Sequence, residues 1–287
     1  MGHVVTTPRP PFPTSSAKLT VHQIPAARDN LIWLIVAGDE AAAVDGPTAA
    51  EVLAYCDAHG LRLTTIFNTH THHDHIGINV ALQAGGLLEG MRVVGSRTRA
   101  ADVPGLTEPV DEGDTVTFGG VTGRVMLTEG HIDGHVSYVF DDVVFCGDTM
   151  FAGGCGYLFD GPPAKMHESL QRLAALPADT KVCCAHEYTQ DNLTFAWSID
   201  ADNDALAARI AEVWAVRGRG ECTVPSTIGL ERATNPFLRA SEPAVRQRLQ
   251  AAMPDRDLRS DEGAFAAARA LKDRKDYRNL TDADLPL

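Results

Sequence analysis

Apolar residues fall into short runs over the first two thirds of the chain, then switch to helical spacing. After a proline-rich start (Pro8, Pro10, Pro11, Pro13), strand-length runs cover Leu19 to Ile24, Leu31 to Val36 and Ala41 to Val44. Pro47 and Thr48 open a helical stretch that runs through His59 and stops at Gly60. Leu63 to Phe67 reads as a strand ending directly at Asn68-Thr69-His70, and Ile78 to Gln83 as a short helix. Arg92 to Val94, Thr115 to Phe118, Val121 to Leu127, Val136 to Phe140, Val143 to Cys146 and Lys181 to Cys184 continue the strand pattern. Gly119-Gly120 and Asp141-Asp142 supply hairpin turns. Many strands with few helices predict a layered α/β arrangement. Beyond about residue 188, Ala205 to Val216, Ala244 to Ala252 and Ala264 to Lys275 take helical spacing and strand signals fade. The expected division is a mobile N-terminal arm over 1–17, a catalytic domain over 18–187, and a smaller helical, substrate-binding domain over 188–287.

With 44% hydrophobic and 22% charged residues in 287, the chain can build a sizeable core. A formal charge of −13 repels phosphate backbones and counts against nucleic acid as a partner. The start lacks the apolar core of a signal peptide, and no run of about 18 apolar residues could cross a membrane. The cytoplasm is the expected location. The six cysteines form no C-x-x-C pair and read as buried small hydrophobes in a reducing compartment.

The chemistry concentrates in Thr69-His70-Thr71-His72-His73-Asp74-His75, where four of the 11 histidines occupy six consecutive positions at a strand end. Residues two apart in an extended segment point the same way, so His70 and His72 share a side and His73 faces away. As the chain turns into the next helix, Asp74 and His75 can aim at a second point nearby. Imidazole and carboxylate suit zinc and related divalent ions. His131, Asp148 and His186 each follow an apolar run and could converge on the same edge.

The T-H-x-H-x-D-H block resembles the signature of the metallo-β-lactamase superfamily. Gly147-Asp148-Thr149-Met150-Phe151, Gly154-Cys155-Gly156 and Ala185-His186-Glu187-Tyr188-Thr189 resemble one branch of it, glyoxalase II, the hydroxyacylglutathione hydrolases. So do Asn192-Leu193 with Phe195-Ala196, Thr223-Val224-Pro225-Ser226-Thr227 and Asn235-Pro236-Phe237-Leu238-Arg239. The resemblance spans about residues 18 to 278. It implies an αββα sandwich followed by the helical domain. It also implies two divalent metal ions, zinc first and iron or manganese as alternatives. His70, His72 and His131 would hold one ion, Asp74, His75 and His186 the other, and Asp148 would bridge them. Two such ions about 3.5–4 Å apart would share a water and deliver hydroxide near neutral pH. The expected reaction is hydrolysis of S-D-lactoylglutathione to D-lactate and glutathione, with Asp74 and Asp148 at the reacting centre.

The substrate positions depart from the family in places. Tyr157 stands where the family has Lys or Arg after Gly-Cys-Gly, while Phe159 and Tyr188 keep its aromatic positions. The family places an Arg and a Lys three apart near the C-terminus to bind the glycine carboxylate of glutathione; here Lys272 and Lys275 align with them. Glu129 and Ile132 replace Pro and Thr in the Pro-Gly-His-Thr turn. A different thiol carrier therefore stays open. The competing expectation within the same fold resembles the persulfide dioxygenases, with one iron on His70, His131 and Asp148.

Overall fold

A computed structural model describes residues 2–287. One sheet runs, in spatial order, β1 (Phe12–Pro13), β2 (Thr20–Ala26), β3 (Asn30–Ala37), β4 (Glu40–Val44), β5 (Arg62–Phe67), β6 (Arg92–Ser96) and β7 (Glu108–Val110). The second is built from β8 (Thr115–Phe118), β9 (Val121–Leu127), β10 (Val136–Phe140) and β11 (Val143–Gly147). A small hairpin, β12 (Met150–Phe151) with β13 (Gly154–Cys155), follows it. The second sheet then takes β14 (Lys181–Cys184) and β15 (Ser226–Thr227), giving the order β15-β14-β11-β10-β9-β8. The helices are α1 (Ala50–His59), α2 (His73–Ala84), α3 (Pro163–Ala174), α4 (Thr189–Asp200), α5 (Asp204–Gly218), α6 (Ile228–Thr234), α7 (Pro243–Ala252) and α8 (Asp261–Arg274).

Strand alternation builds the sandwich. On β3, Leu31, Trp33 and Ile35 join the core shared with Val125, Tyr138, Phe140 and Phe145 of the second sheet. Its alternate residues Ile32 and Leu34 pack instead with Val52 of α1 and Ile78 and Leu82 of α2. A strand buried on both faces reads as a continuous apolar run, which is how β3 looks in sequence. On α3, Met166, Leu170 and Leu173 recur at helical spacing and are fully buried. The layers are those of a metallo-β-lactamase αββα sandwich.

Most expected elements lie within a few residues of their predicted ends, and the differences have physical causes. The helix expected from Ile78 begins at His73, because His72 is the last extended residue (φ −64°, ψ 150°) and Asp74 falls in the first turn. There a carboxylate is stabilised by the helix's unpaired N–H groups. Helices α3, α4 and α6 were not anticipated, and the helical segment returns β15 to the second sheet beside β14. The arm expected to be mobile lies against the body instead. Val5 is 3% exposed, and β1 pairs with β2. Among the described residues, no helix is long and apolar enough to cross a membrane. All six cysteines are buried and unbridged, as expected of small core hydrophobes.

Candidate metal centre

The direction of the strands decides where the histidines meet. β4 and β5 are parallel, as are β11 and β14, and β9 runs antiparallel to β10, which runs antiparallel to β11. Within the second sheet the C-terminal ends of β9, β11 and β14 therefore share one edge, and the segment after β5 meets them there, with His72 against His131. The segments holding His70–His75, His131, Asp148 and His186 leave from those ends.

His70, His72 and His131 come together as one group able to hold a cation, and Asp74, His75 and His186 as another. His72 Nδ1 lies 3.1 Å from His70 Nε2 and 3.0 Å from His131 Nε2. Asp148 sits between the groups: Oδ2 is 3.5 Å from His131 Nε2, while Oδ1 is 3.5 Å from His75 Nε2 and 3.4 Å from His186 Nε2. Asp74 Oδ2 is 3.6 Å from His75 Nε2 and 3.5 Å from His186 Nε2. His73 points away, its side chain 98% exposed.

The outer nitrogens fix the tautomers. His131 Nδ1 donates to the Tyr157 carbonyl (2.7 Å), His75 Nδ1 to Asp45 Oδ2 (3.0 Å) and His186 Nδ1 to Asp29 Oδ1 (2.9 Å). Thr69 Oγ1 gives its proton to Asp45 Oδ2 (2.6 Å), so it accepts from His70 Nδ1 (3.1 Å). Four rings are thus turned so that Nε2 faces the shared space, the arrangement that metal-bound histidines use. Burial and the neighbouring imidazoles push His70 well below the ordinary range, which keeps it neutral. Burial pushes His75 down too, but Asp148, Asp45 and Asp74 outweigh it and lift it to about 9. The carboxylates demand positive charge at this point. His75 Nε2 and Asp148 Oδ1 are buried and lack any hydrogen-bond partner. Leaving two such atoms unpaired costs several kcal/mol in general, about 1–3 for each, and divalent cations between the groups would satisfy both. The residues fit the ions.

Asp45, Asp29 and His135 were missed in the sequence. Asp45 follows β4 and accepts from the Thr69 main-chain N–H (2.8 Å) as well as from the side chains above. His135 stacks on His70 at 4.8 Å and accepts from the Asp148 N–H through Nε2 (3.2 Å). A Cβ on Gly156 would collide with the Asp148 carbonyl, so only glycine lets the chain pass here.

A cleft of ≈ 480 Å³ runs beside the cluster, lined by Tyr157, Tyr188, Asn192, Arg269, Lys272 and Lys275 among others. Tyr188 stacks on His186 (4.7 Å, 4°). Burial and Asp29 push its hydroxyl up, so it remains a donor. Phe159 meets His72 and His131 edge-on at 5.0 and 5.2 Å. Tyr157 contributes its carbonyl to His131 and leaves its ring half exposed. Both residues of the expected pair, Lys272 and Lys275, line the cleft, in different settings. Lys272 is buried and donates to Asn192 Oδ1, whereas Lys275 has left α8 in a left-handed conformation (φ 63°). The residue one helical turn before Lys272 is Arg269, buried, with Nη1 on the Cys155 carbonyl (3.1 Å) and Nε unpartnered. Arg269 and Lys272, three apart in sequence, share a face of α8 towards the cleft. From α6, Glu231 accepts from the Gly153 N–H (2.8 Å), and Asn235 donates to the Gly154 carbonyl (2.9 Å). The helical segment thereby holds the loop that carries Tyr157.

Comparison with known proteins agrees with this picture. A model of the metallo-beta-lactamase superfamily matches residues 28–186, and one of the hydroxyacylglutathione hydrolase C-terminus matches residues 187–275. A hydroxyacylglutathione hydrolase of Maricaulis maris is 45% identical over 261 residues, covering 90% of this chain and 99% of the relative. Among solved structures, ETHE1 from Myxococcus xanthus superposes with a TM-score of 0.55 at 24% identity, covering 85% of this chain and 93% of its own. TTHA1623 in a di-iron-bound form superposes with a TM-score of 0.50 at 25% identity, covering 73% and 95%.

Proposed function

The chain belongs to the hydroxyacylglutathione hydrolases of the metallo-β-lactamase superfamily, and we propose that it hydrolyses S-D-lactoylglutathione, or a close hydroxyacyl thioester, to the hydroxy acid and free thiol. It is a metal-dependent thioesterase. His70, His72 and His131 would hold one ion, Asp74, His75 and His186 the second, and Asp148 would bridge. The observation that carries this reading is the pair of orphaned inward atoms, His75 Nε2 and Asp148 Oδ1, between two sets of imidazoles turned towards them. Divalent ions so placed supply water activation and carbonyl polarisation. Five imidazoles and two carboxylates with no thiolate suit zinc, and equally iron or manganese. A fold neighbour holding two irons supports iron as an alternative.

The protein's own groups would do the rest. Arg269 and Lys272 hold a carboxylate of the thiol carrier, and Asn192, already bonded to Lys272, fixes the lysine's direction. Tyr188 offers a hydroxyl donor beside His186, and Phe159 covers the rim over His72 and His131. Asn30 fixes Asp74 through Oδ2 (3.1 Å), so Asp74 can orient the attacking water. Water adds to the thioester carbon and the C–S bond breaks. The thiolate leaves without an acid because thiols ionise near pH 8.5. The unbridged cysteines support a reducing compartment, the cytoplasm, as the setting. Convergence of all seven groups supports hydrolysis over a one-iron oxygenase, which needs three of them.

The test is a hydrolysis assay with S-D-lactoylglutathione run beside thioesters of other thiol carriers, with metal content measured on the same sample. Two ions per chain and fastest turnover of the glutathione thioester are expected. Preference for a carrier without the glycine carboxylate would reject the substrate assignment.

A further inference from the structure

We propose that His3–Thr7 forms a strap that positions Asp29 and Asn30, and through them His186 and Asp74. This extends the two-metal reading above and rests on it. Asp29 and Asn30 sit at the turn between β2 and β3. Asp29 orients His186 from outside and Asn30 Nδ2 fixes Asp74 Oδ2. On one side the turn is held by the His186 segment, where the Glu187 N–H donates to the Asp29 carbonyl (3.0 Å) and the Leu31 N–H to the Ala185 carbonyl (2.7 Å). On the other side it is held by the arm. The Val4 N–H donates to the Arg28 carbonyl (2.8 Å), and His3 Nε2 donates to the Asn30 carbonyl (2.9 Å).

His3 is set for this bond. Its Nδ1 accepts from the Val5 N–H (2.8 Å), which leaves the ring proton on Nε2. The arm is anchored at its far end. Val5 is buried, and the Thr6 and Thr7 N–H groups both donate to the Gly220 carbonyl (2.9 and 3.0 Å). Arg217 Nη2 donates to the Val4 carbonyl (2.5 Å). The strap thus joins the β2–β3 turn to the loop after α5, ahead of the stretch that the superfamily model matches from residue 28. The two metal positions depend on it unequally. His70 and His131 are oriented by Thr69 and the Tyr157 carbonyl, which the strap does not touch. His186 and Asp74 are oriented by the very turn it holds.

Zinc titrated into metal-free protein, followed by calorimetry and repeated with cobalt for its visible spectrum, tests this. The wild type should take up two ions in two classes. His3→Ala should weaken one class about fivefold, the worth of one hydrogen bond, and leave the other unchanged. His3→Gln, whose amide can donate to the Asn30 carbonyl, should restore most of it. The His3→Ala kcat should fall while KM holds. Removing residues 2–9 should weaken the same class further, with thermal unfolding confirming that the fold survives. Equal weakening of both classes, or none in either variant, overturns the strap. Uptake of fewer than two ions by the wild type overturns the two-metal reading instead, and needs no variant to show it.

Discussion

The metal cluster and the cleft beside it are both lined with ionisable groups, yet they are built on opposite terms. In the cluster, the rings of His70, His75, His131 and His186 are each held by a protein partner on the outer nitrogen, and the inward atoms His75 Nε2 and Asp148 Oδ1 have none. In the cleft, the cationic side chains already have protein partners. Arg269 pairs with Asp273 (2.6 Å), Lys272 with Asn192, and Arg278 with Asp191 (2.9 Å). The cluster is preorganised for cations, and preorganisation costs nothing at the moment of reaction. A substrate entering the cleft must displace or share existing partners, so gains there are differences between two good states. Damage to the cluster should therefore appear in kcat and metal content, and damage to the cleft in KM.

The sharpest way to break that contrast is Asp148→Ala, which removes the carboxylate that lies between the two histidine groups. Several kcal/mol of transition-state stabilisation go with it, so kcat/KM should fall about a thousandfold or more at 1.4 kcal/mol per decade. Metal analysis should show ion loss. Retained metal with near-normal turnover would mean that Asp148 does not bridge. Asp45→Asn comes next. It keeps shape but removes the charge that orients His75 and, through Thr69, His70. Second-layer changes of this kind cost about 10–100-fold in metal affinity or activity, read here by competition with a chelator. An affinity unchanged within twofold would reduce Asp45 to a packing residue.

The same contrast explains what could be read from the sequence. His70, His72, Asp74 and His75 were legible because one strand end and one helix start carry all four, and strand parity separates His73 from its neighbours. His131, Asp148 and His186 were legible as residues following strands, and the strand directions then bring them together. Asp45 and Asp29 were not. Each is one acid in a turn after an apolar run, and only the fold shows whether it meets an imidazole. The cleft was least legible. The face of α8 that turns inward depends on where the helix ends. Lys275 lies one turn after Lys272 in sequence but adopts the left-handed conformation that stops the helix, while Arg269 lies one turn before it on the inward face.

That difference makes a smaller, more discriminating prediction. Lys272→Met keeps volume and loses the charge. It should raise KM for the glutathione thioester about tenfold, the scale of a hydrogen bond to a charged group, with kcat changed by no more than about twofold. Arg269→Met should act alike, and Lys275→Ala should shift KM by less than about twofold because a rim-exposed charge is screened. A larger effect from Lys275 than from Arg269 would put the carboxylate outside the helix face and restore the Lys272 and Lys275 pairing.

The smallest expected effect is a pH dependence that belongs to the cleft alone. Burial, with the neighbouring Arg269 charge, pushes Lys272 down to about 7; Asp191 and Cys155 pull the other way, and Arg278 adds to the lowering. The sign follows from the ligand. A carboxylate, already ionised across this range, prefers charged lysine, and Lys272 is charged below about 7 and neutral above it. Binding of S-methylglutathione, which has no free thiol to reach the metals, should weaken about fivefold between pH 6.5 and 8. It should be flat over the same span in Lys272→Met. The folded protein also holds this proton less tightly than the unfolded chain, so the lysine's contribution to stability rises with pH from about 7 towards its unfolded value near 10.4. Lys272→Met should remove that slope from the Tm against pH. If wild-type binding is flat from pH 6.5 to 8, Asn192 and Asp191 hold the proton after all. The cleft would then be as preorganised for its anion as the cluster is for its cations.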